Sequence, residues 1–142
     1  MIAEAIAGSS AELRAALVTA GLPSDDIEDQ GLRFFRFTMN GRIVAYGGLE
    51  GHGSSVLLRS LVVLPGEQGK GVGKTTVEHL MSLARASGAE TAYLLTTSAV
   101  DYFKRLGFRA MAREDAPEAI RATKQATGLC PSAATLLSRS TV

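Results

Sequence analysis

Hydrophobic and polar positions follow several periods along this chain, and each period marks a kind of element. From residue 72 onward, Val72, Val77, Leu80, Met81 and Ala84 fall on one apolar stripe while Lys74, Glu78, Ser82 and Arg85 lie off it. That is helical spacing, with Gly88 as the stop. "SSVLLRSLVVLP" (residues 54–65) and "TAYLLTT" (residues 91–97) are short, largely apolar runs that read as buried strands, the first ended by Pro65. "LRFFRFTMNGRIVAYGGLE" gives two β-rich segments around Asn40-Gly41, the strongest short hairpin signal in the sequence.

The remaining segments are weaker. Residues 1–7 form a strand, and residues 10–20 a helix that opens Ser-Ala-Glu-Leu and is ended by Gly21 and Pro23. "LPSDDIEDQG" reads as a polar, mobile loop with four acidic residues. "SAVDYFKRLGF" is a short helix over residues 98–106 that stops at Gly107. Asp115 resembles the cap of a helix over residues 117–127, which Gly128 closes, and "SAATLLSRS" reads as a last edge strand. Strands first and mixed elements afterwards predict an α+β or α/β fold in three layers, a mixed central sheet flanked by helices.

Between the first buried run and the long helix stands "QGKGVGKTT". A nucleotide-binding GxxxxGK[ST] loop ending at Lys74-Thr75 requires glycine at position 68, which is Gln68. What fits is Gln-x-x-Gly-x-Gly. A helix N-terminus leaves backbone N–H groups unpaired and carries partial positive charge. Glycines at 69, 71 and 73 would let a pyrophosphate reach those groups, with Lys70 and Lys74 adding charge. A glycine-rich turn without a ligand is the plainer alternative.

"LVVLPGEQGKGVGK", followed by "AVDYFKRLGF", resembles the GNAT superfamily of acetyl-CoA-dependent N-acetyltransferases. The first stretch matches the signature Val-x-Pro-x-x-[Arg/Gln]-Gly-x-Gly-x-[Gly/Ala], and the second matches Ala-x-x-[Phe/Tyr]-[Phe/Tyr]-x-x-x-Gly-Phe. "YGGLEGHGSSVLLRSLVV" and "IRATKQATGLCPSAATLL" look similar to the branch encoded with bacterial arsenic-resistance genes. The resemblance spans residues 2–137. It implies acetyl-CoA as co-substrate with no metal. The backbones of Leu61, Val62 and Val63 would hold the pantetheine arm. The N–H groups of Gln68, Gly69, Lys70, Gly71, Val72, Gly73 and Lys74 would hold the pyrophosphate. An N–H near Val63 would be the oxyanion donor.

Acetyl transfer also needs a deprotonated amine and a proton for the leaving thiolate. Many relatives place a Tyr where this chain has Phe103. Adjacent helical residues point about 100° apart, so Tyr102 is no simple substitute. Phe103 is expected to pack on the cofactor arm and Tyr102 in the core or at its rim. Glu50, at the end of "RIVAYGGLE" beside Gly47 and Gly48, is the candidate base, against an exposed strand-end carboxylate. His52 is a second candidate, and His79 reads as structural or exposed. Arg59 interrupts an apolar strand, where it either pairs within the fold or grips a substrate anion. Arg33 and Arg36 could serve similarly. Cys130 reads as a small buried residue rather than a metalloid ligand.

Composition narrows the partners. The 142 residues are 46% hydrophobic and 20% charged, as expected of one soluble domain, residues 1–142. A net charge of +1 with no dense basic stripe argues against nucleic acid. No run approaches membrane-spanning length, and one cysteine suits a reducing cytoplasm. The expected partner is a small amine, amino-acid-like and with an acidic group, of which an arsenic- or phosphorus-containing analogue is one candidate. Monomer and homodimer both stay open. A non-catalytic acyl-CoA-binding module and, on "GVGKT" alone, an ATP-binding domain are the alternatives.

Overall fold

The computed structural model describes residues 1–129 and 133–142, apart from the side chains of His52 and Leu129. The strands are β1 (Ile2–Ile6), β2 (Leu32–Met39), β3 (Arg42–His52), β4 (Ser55–Val63), β5 (Thr91–Thr96), β6 (Arg109–Met111) and β7 (Thr135–Ser140). The helices are α1 (Ala11–Thr19), α2 (Val72–Ala86), α3 (Val100–Arg105) and α4 (Glu118–Arg121). They build one mixed seven-stranded sheet in the order β1-β2-β3-β4-β5-β7-β6, the three-layer α+β architecture that the sequence pattern predicts.

Strands β1 to β4 form an antiparallel meander. Its β2–β3 turn is Asn40-Gly41, with φ of 51° and 76°, the two positive values that make such dipeptides favourable at tight hairpins. Helix α2 then crosses over, so β5 lies parallel to β4. The predicted stripe of α2 is buried in full, together with Thr76, whose hydroxyl donates to the Val72 carbonyl at 2.7 Å. Against it pack Phe35, Phe37, Leu49, Leu58, Leu94 and Phe108. On the opposite face α1 buries Leu13 and Leu17 over Phe34, Tyr46 and Val62. Further along that face Ile120 of α4 covers Leu57, Tyr93 and Leu136.

Four expectations need correction. Strand β7 is no edge: it pairs with both β5 and β6, and consecutive Leu136 and Leu137 are both buried, as an interior strand requires. Residues 117–127 are not one helix. After α4 the Thr123 hydroxyl donates to the Ile120 carbonyl and accepts from the Ala126 N–H, diverting the backbone into a π-helical turn, Gln125–Leu129. Asp115 lies in a 3-10 turn, Arg113–Asp115, and caps nothing; Pro117 stands at the start of α4. Residues 22–31 are anchored, since Ile27 and Asp26 are both buried.

Gly47 and Gly48 open no space beside Glu50. A Cβ on Gly47 would meet Leu80 Cδ1 at 2.7 Å, and one on Gly48 would meet the Phe34 ring at 2.8 Å. They admit the Leu80 side chain of α2 and the Phe34 ring of β2 close against β3.

Candidate active site

Strands β4 and β5 are hydrogen-bonded only where Ser55, Val56 and Leu57 face Thr91, Ala92 and Tyr93. Beyond that point β4 carries an extra residue. Val62 faces Tyr46 and Arg59 faces Gly48, so Ser60 and Leu61 together oppose Gly47. This β-bulge holds Ser60 at a φ of 57° and bends β4 away from β5. A cavity of about 650 Å³ opens between the strands. Leu58, Leu61 and Val63 line one wall, and Leu94, Leu95 and Thr96 the other.

Backbone direction follows from strand alternation. The Leu64 N–H donates to the Val44 carbonyl at 2.9 Å, so residues 62 and 64 turn toward β3. Leu61 and Val63 therefore turn their N–H groups into the gap. Val62 faces away, with its side chain under α1, so it is a neighbour of the gap and not a wall. The Val63 carbonyl accepts from Gln68 Nε2 at 3.2 Å, which ties the glycine loop to the end of β4.

The three glycines of that loop answer different needs. Gly69 and Gly71 have φ of 79° and 77°, a region that other L residues rarely adopt. Gly71 is the N-cap of α2 and no side chain caps the helix, so its first N–H groups face outward from the helix start. Gly73 is helical; a Cβ there would lie 2.2 Å from the Tyr102 hydroxyl. Gln68, Gly69, Gly71, Gly73 and Lys74 all line the cavity. Lys70 instead reaches Glu67, 4.0 Å away, whose carboxyl Arg42 holds below the usual carboxylate range. Val72 points into the core. Neither is among the residues that line the cavity.

Helix α3 closes the far wall with Tyr102 and Phe103, whose rings meet edge to face at 5.3 Å. Phe103 is buried and packs edge-on against Phe108 as well. Tyr102 is half-buried, and burial raises its pKa, opposed by the charge of Arg105; the phenol is neutral across the physiological range.

The other end of the cavity is lined by Leu22, Pro23, Arg59, Ser60 and Gln125. Arg59 is no free fork for a substrate anion. Its side chain is 1% exposed, and its two terminal nitrogens each donate to one Asp26 oxygen at 2.6 Å. Its Nε–H donates to the Ser60 hydroxyl at 3.2 Å, and Glu50 lies 3.4 Å from Nη1. The charge in the apolar strand is thus met within the fold. Glu50 pairs across from Leu57, before the strands diverge, and faces a separate cavity of about 300 Å³ with Asp26, Asp29 and Lys124. It does not line the main cavity.

Arg36 pairs with Glu4 and Glu12, and Arg33 with Ser87; neither reaches the gap. His79 packs edge-on to Phe37. The His52 side chain and Cys130 lie outside the described residues. Among the described residues no group of three His, Cys, Asp or Glu is placed to hold a metal ion, and no helix is long and apolar enough to cross a membrane.

Asp26, Ser60 and Gln125 escaped the sequence reading. Ile27 amid acidic neighbours was a usable hint that residues 22–31 are anchored. Gln125 is buried through the π turn, which Arg113 clamps by donating to the carbonyls of Ala126 and Ala134. Nothing in the local pattern announces that turn.

Residues 30–110 match the family model described as acetyltransferase (GNAT) domain. Among solved structures, N-acetylglutamate synthase from Neisseria gonorrhoeae, complexed with coenzyme A and N-acetyl-glutamate, matches with a TM-score of 0.75 at 18% identity. That match covers 100% of this chain and 36% of the other, so the chain spans about a third of that relative's length. A Bacillus subtilis acetyltransferase in complex with CoA matches at 0.71 and 20% identity over 97% of both chains. An aminoglycoside 6'-N-acetyltransferase complexed with coenzyme A matches at 0.71 and 14% identity, over 100% of this chain and 98% of the other. At such identities these three likenesses are of fold.

Proposed function

The chain belongs to the GNAT acetyltransferase family, and from that premise we propose that it moves an acetyl group from acetyl-CoA to the amine of a small, amino-acid-like acceptor. One observation carries the reading: the bulge-opened gap between β4 and β5 runs into the uncapped N-terminus of α2 within a single cavity. A thioester co-substrate with a diphosphate tail matches both halves. The N–H groups at the start of α2, with Lys74, suit the pyrophosphate. The inward N–H groups of Leu61 and Val63 suit an amide-bearing arm, and the Val63 N–H suits the developing oxyanion.

Acetyl-CoA supplies the activated acetyl group. The chain's residues align the acceptor amine with it, exclude water and stabilise charge. The acceptor end is narrowed by Leu22, Pro23 and Gln125, which favours a small molecule. Relatives complexed with N-acetyl-glutamate or acting on aminoglycosides are compatible with a small polar amine. An arsenic- or phosphorus-containing amino-acid analogue is the finer proposal. With Arg59 engaged by Asp26, the acidic group of such an acceptor would be met by neutral donors rather than by that guanidinium.

Thermal denaturation with ligands tests the reading. Acetyl-CoA at a hundred times its Kd should stabilise the fold by about 2.7 kcal/mol, and MgATP should not. A shift with MgATP alone would sink the proposal. Thiol release measured over a panel of amines, including phosphinothricin and a simple alkylamine, then separates an enzyme from a module that binds without turnover.

A further inference from the structure

Ser60 stands at the point where β4 leaves β5, and its conformation is costly. Only two non-glycine residues among those described have positive φ, Asn40 and Ser60. Asn40 belongs to the hairpin turn, where that conformation is required. Ser60 belongs to a strand, where glycine would adopt it without strain. Two features determine its side chain. The residue is 9% exposed and lines the cavity. Its oxygen accepts from Arg59 Nε–H at 3.2 Å, and Arg59 is locked in turn by two bonds to Asp26.

A hydroxyl whose oxygen accepts from a guanidinium is polarised, and its own proton is turned away from that donor. No described residue accepts that proton. Phe103, buried against Tyr102 and Phe108, brings no hydroxyl of its own to this cavity. The Tyr102 hydroxyl lies over Gly73, at the loop end.

We propose that the Ser60 hydroxyl donates a hydrogen bond to the sulfur of the coenzyme, stabilising the thiolate as it leaves, with Arg59 and Asp26 as its positioning residues. This rests on the acetyl-CoA reading above. As the C–N bond forms, the C–S bond breaks and sulfur takes its electron pair. The amine's proton passes to water, and the thiolate is later protonated from water. Ser60 lends a hydrogen bond throughout and is not consumed.

The consequence is measurable without knowing the acceptor. A donor aimed at sulfur favours thiolate over thiol, so it lowers the pKa of bound coenzyme A below that of the free coenzyme. Affinity for coenzyme A must then rise with pH between the bound and free pKa values, by about tenfold for each unit of lowering. Calorimetric titration should show this rise for the wild-type protein with coenzyme A and a flat profile with desulfo-coenzyme A. Ser60→Gly suits the positive φ and removes the hydroxyl, so it should flatten the coenzyme A profile and leave desulfo-coenzyme A binding unchanged. Ser60→Ala should behave alike where it folds. A wild-type protein that binds coenzyme A with a flat profile overturns the inference alone. So does a Ser60→Gly protein that keeps the rise, or one that weakens both ligands equally. A wild-type protein that binds neither ligand overturns the acetyl-CoA reading and this inference with it.

Discussion

At the scale of single residues, spacing alone suggests one purpose for the glycines at 69, 71 and 73, that of clearing a path for phosphate. The structure separates them: backbone conformation at Gly69 and Gly71, space for the Tyr102 hydroxyl at Gly73. A valine at Gly71 therefore disturbs the loop through its φ before any ligand is considered, which makes it a poor probe of phosphate binding. Gly73 is the better position. Gly73→Ala puts a methyl 2.2 Å from the Tyr102 oxygen, so the ring must move or the helix start must shift. Tyr102→Phe removes that oxygen. Acetyl-CoA affinity measured over the double-mutant cycle should show that Gly73→Ala costs markedly less in the Tyr102→Phe background, with a coupling of about 0.5–3 kcal/mol. Additive effects would mean that the two residues do not meet as described.

At the scale of elements, the periodic segments were legible and the irregular ones were not. The stripe of α2, the Asn40-Gly41 hairpin and the β4 and β5 runs all follow from spacing that burial enforces. The bulge at Ser60, the π turn at Gln125–Leu129 and the interior place of β7 depend on partners distant in sequence. The bulge matters most, because it alone turns a closed strand pair into a groove. It also makes neighbouring amides unequal. Val62 and Leu64 face β3, whereas Leu61 and Val63 face the gap. Hydrogen exchange should find the amides of Leu61 and Val63 fast in the free protein and slowed by acetyl-CoA, with Val62 and Leu64 protected throughout. Slow exchange at Val63 without ligand would show that the gap closes in solution.

At the scale of the whole molecule, the two faces of the sheet are held differently. On the α2 face the ion pair of Glu78 with Arg139 of β7 is partly exposed, whereas the opposite face encloses a fully buried one. There Arg59 joins β4 to residues 22–31 through Asp26, with both side chains at most 4% exposed. That pair fixes the segment carrying Leu22 and Pro23 against the sheet and, through Nε, orients Ser60. The sequence marked Arg59 as an anomaly, but its partner lies 33 positions away in a loop that read as polar surface. A pair this buried is strongly destabilising to break and much less so to replace. Asp26→Ala leaves the buried guanidinium with the longer Glu50 contact at 3.4 Å as its charge partner, and urea unfolding should show a loss of up to about 3–5 kcal/mol, a large part of a typical domain's stability. Adding Arg59→Met removes the buried charge and should recover most of that loss. Function should not return with the fold. The double variant has no Nε–H to hold Ser60, so its coenzyme A affinity should lose the rise with pH even where its stability matches the wild type. Recovery of both together would mean that the ion pair serves the fold alone and that Ser60 takes its orientation from the bulge.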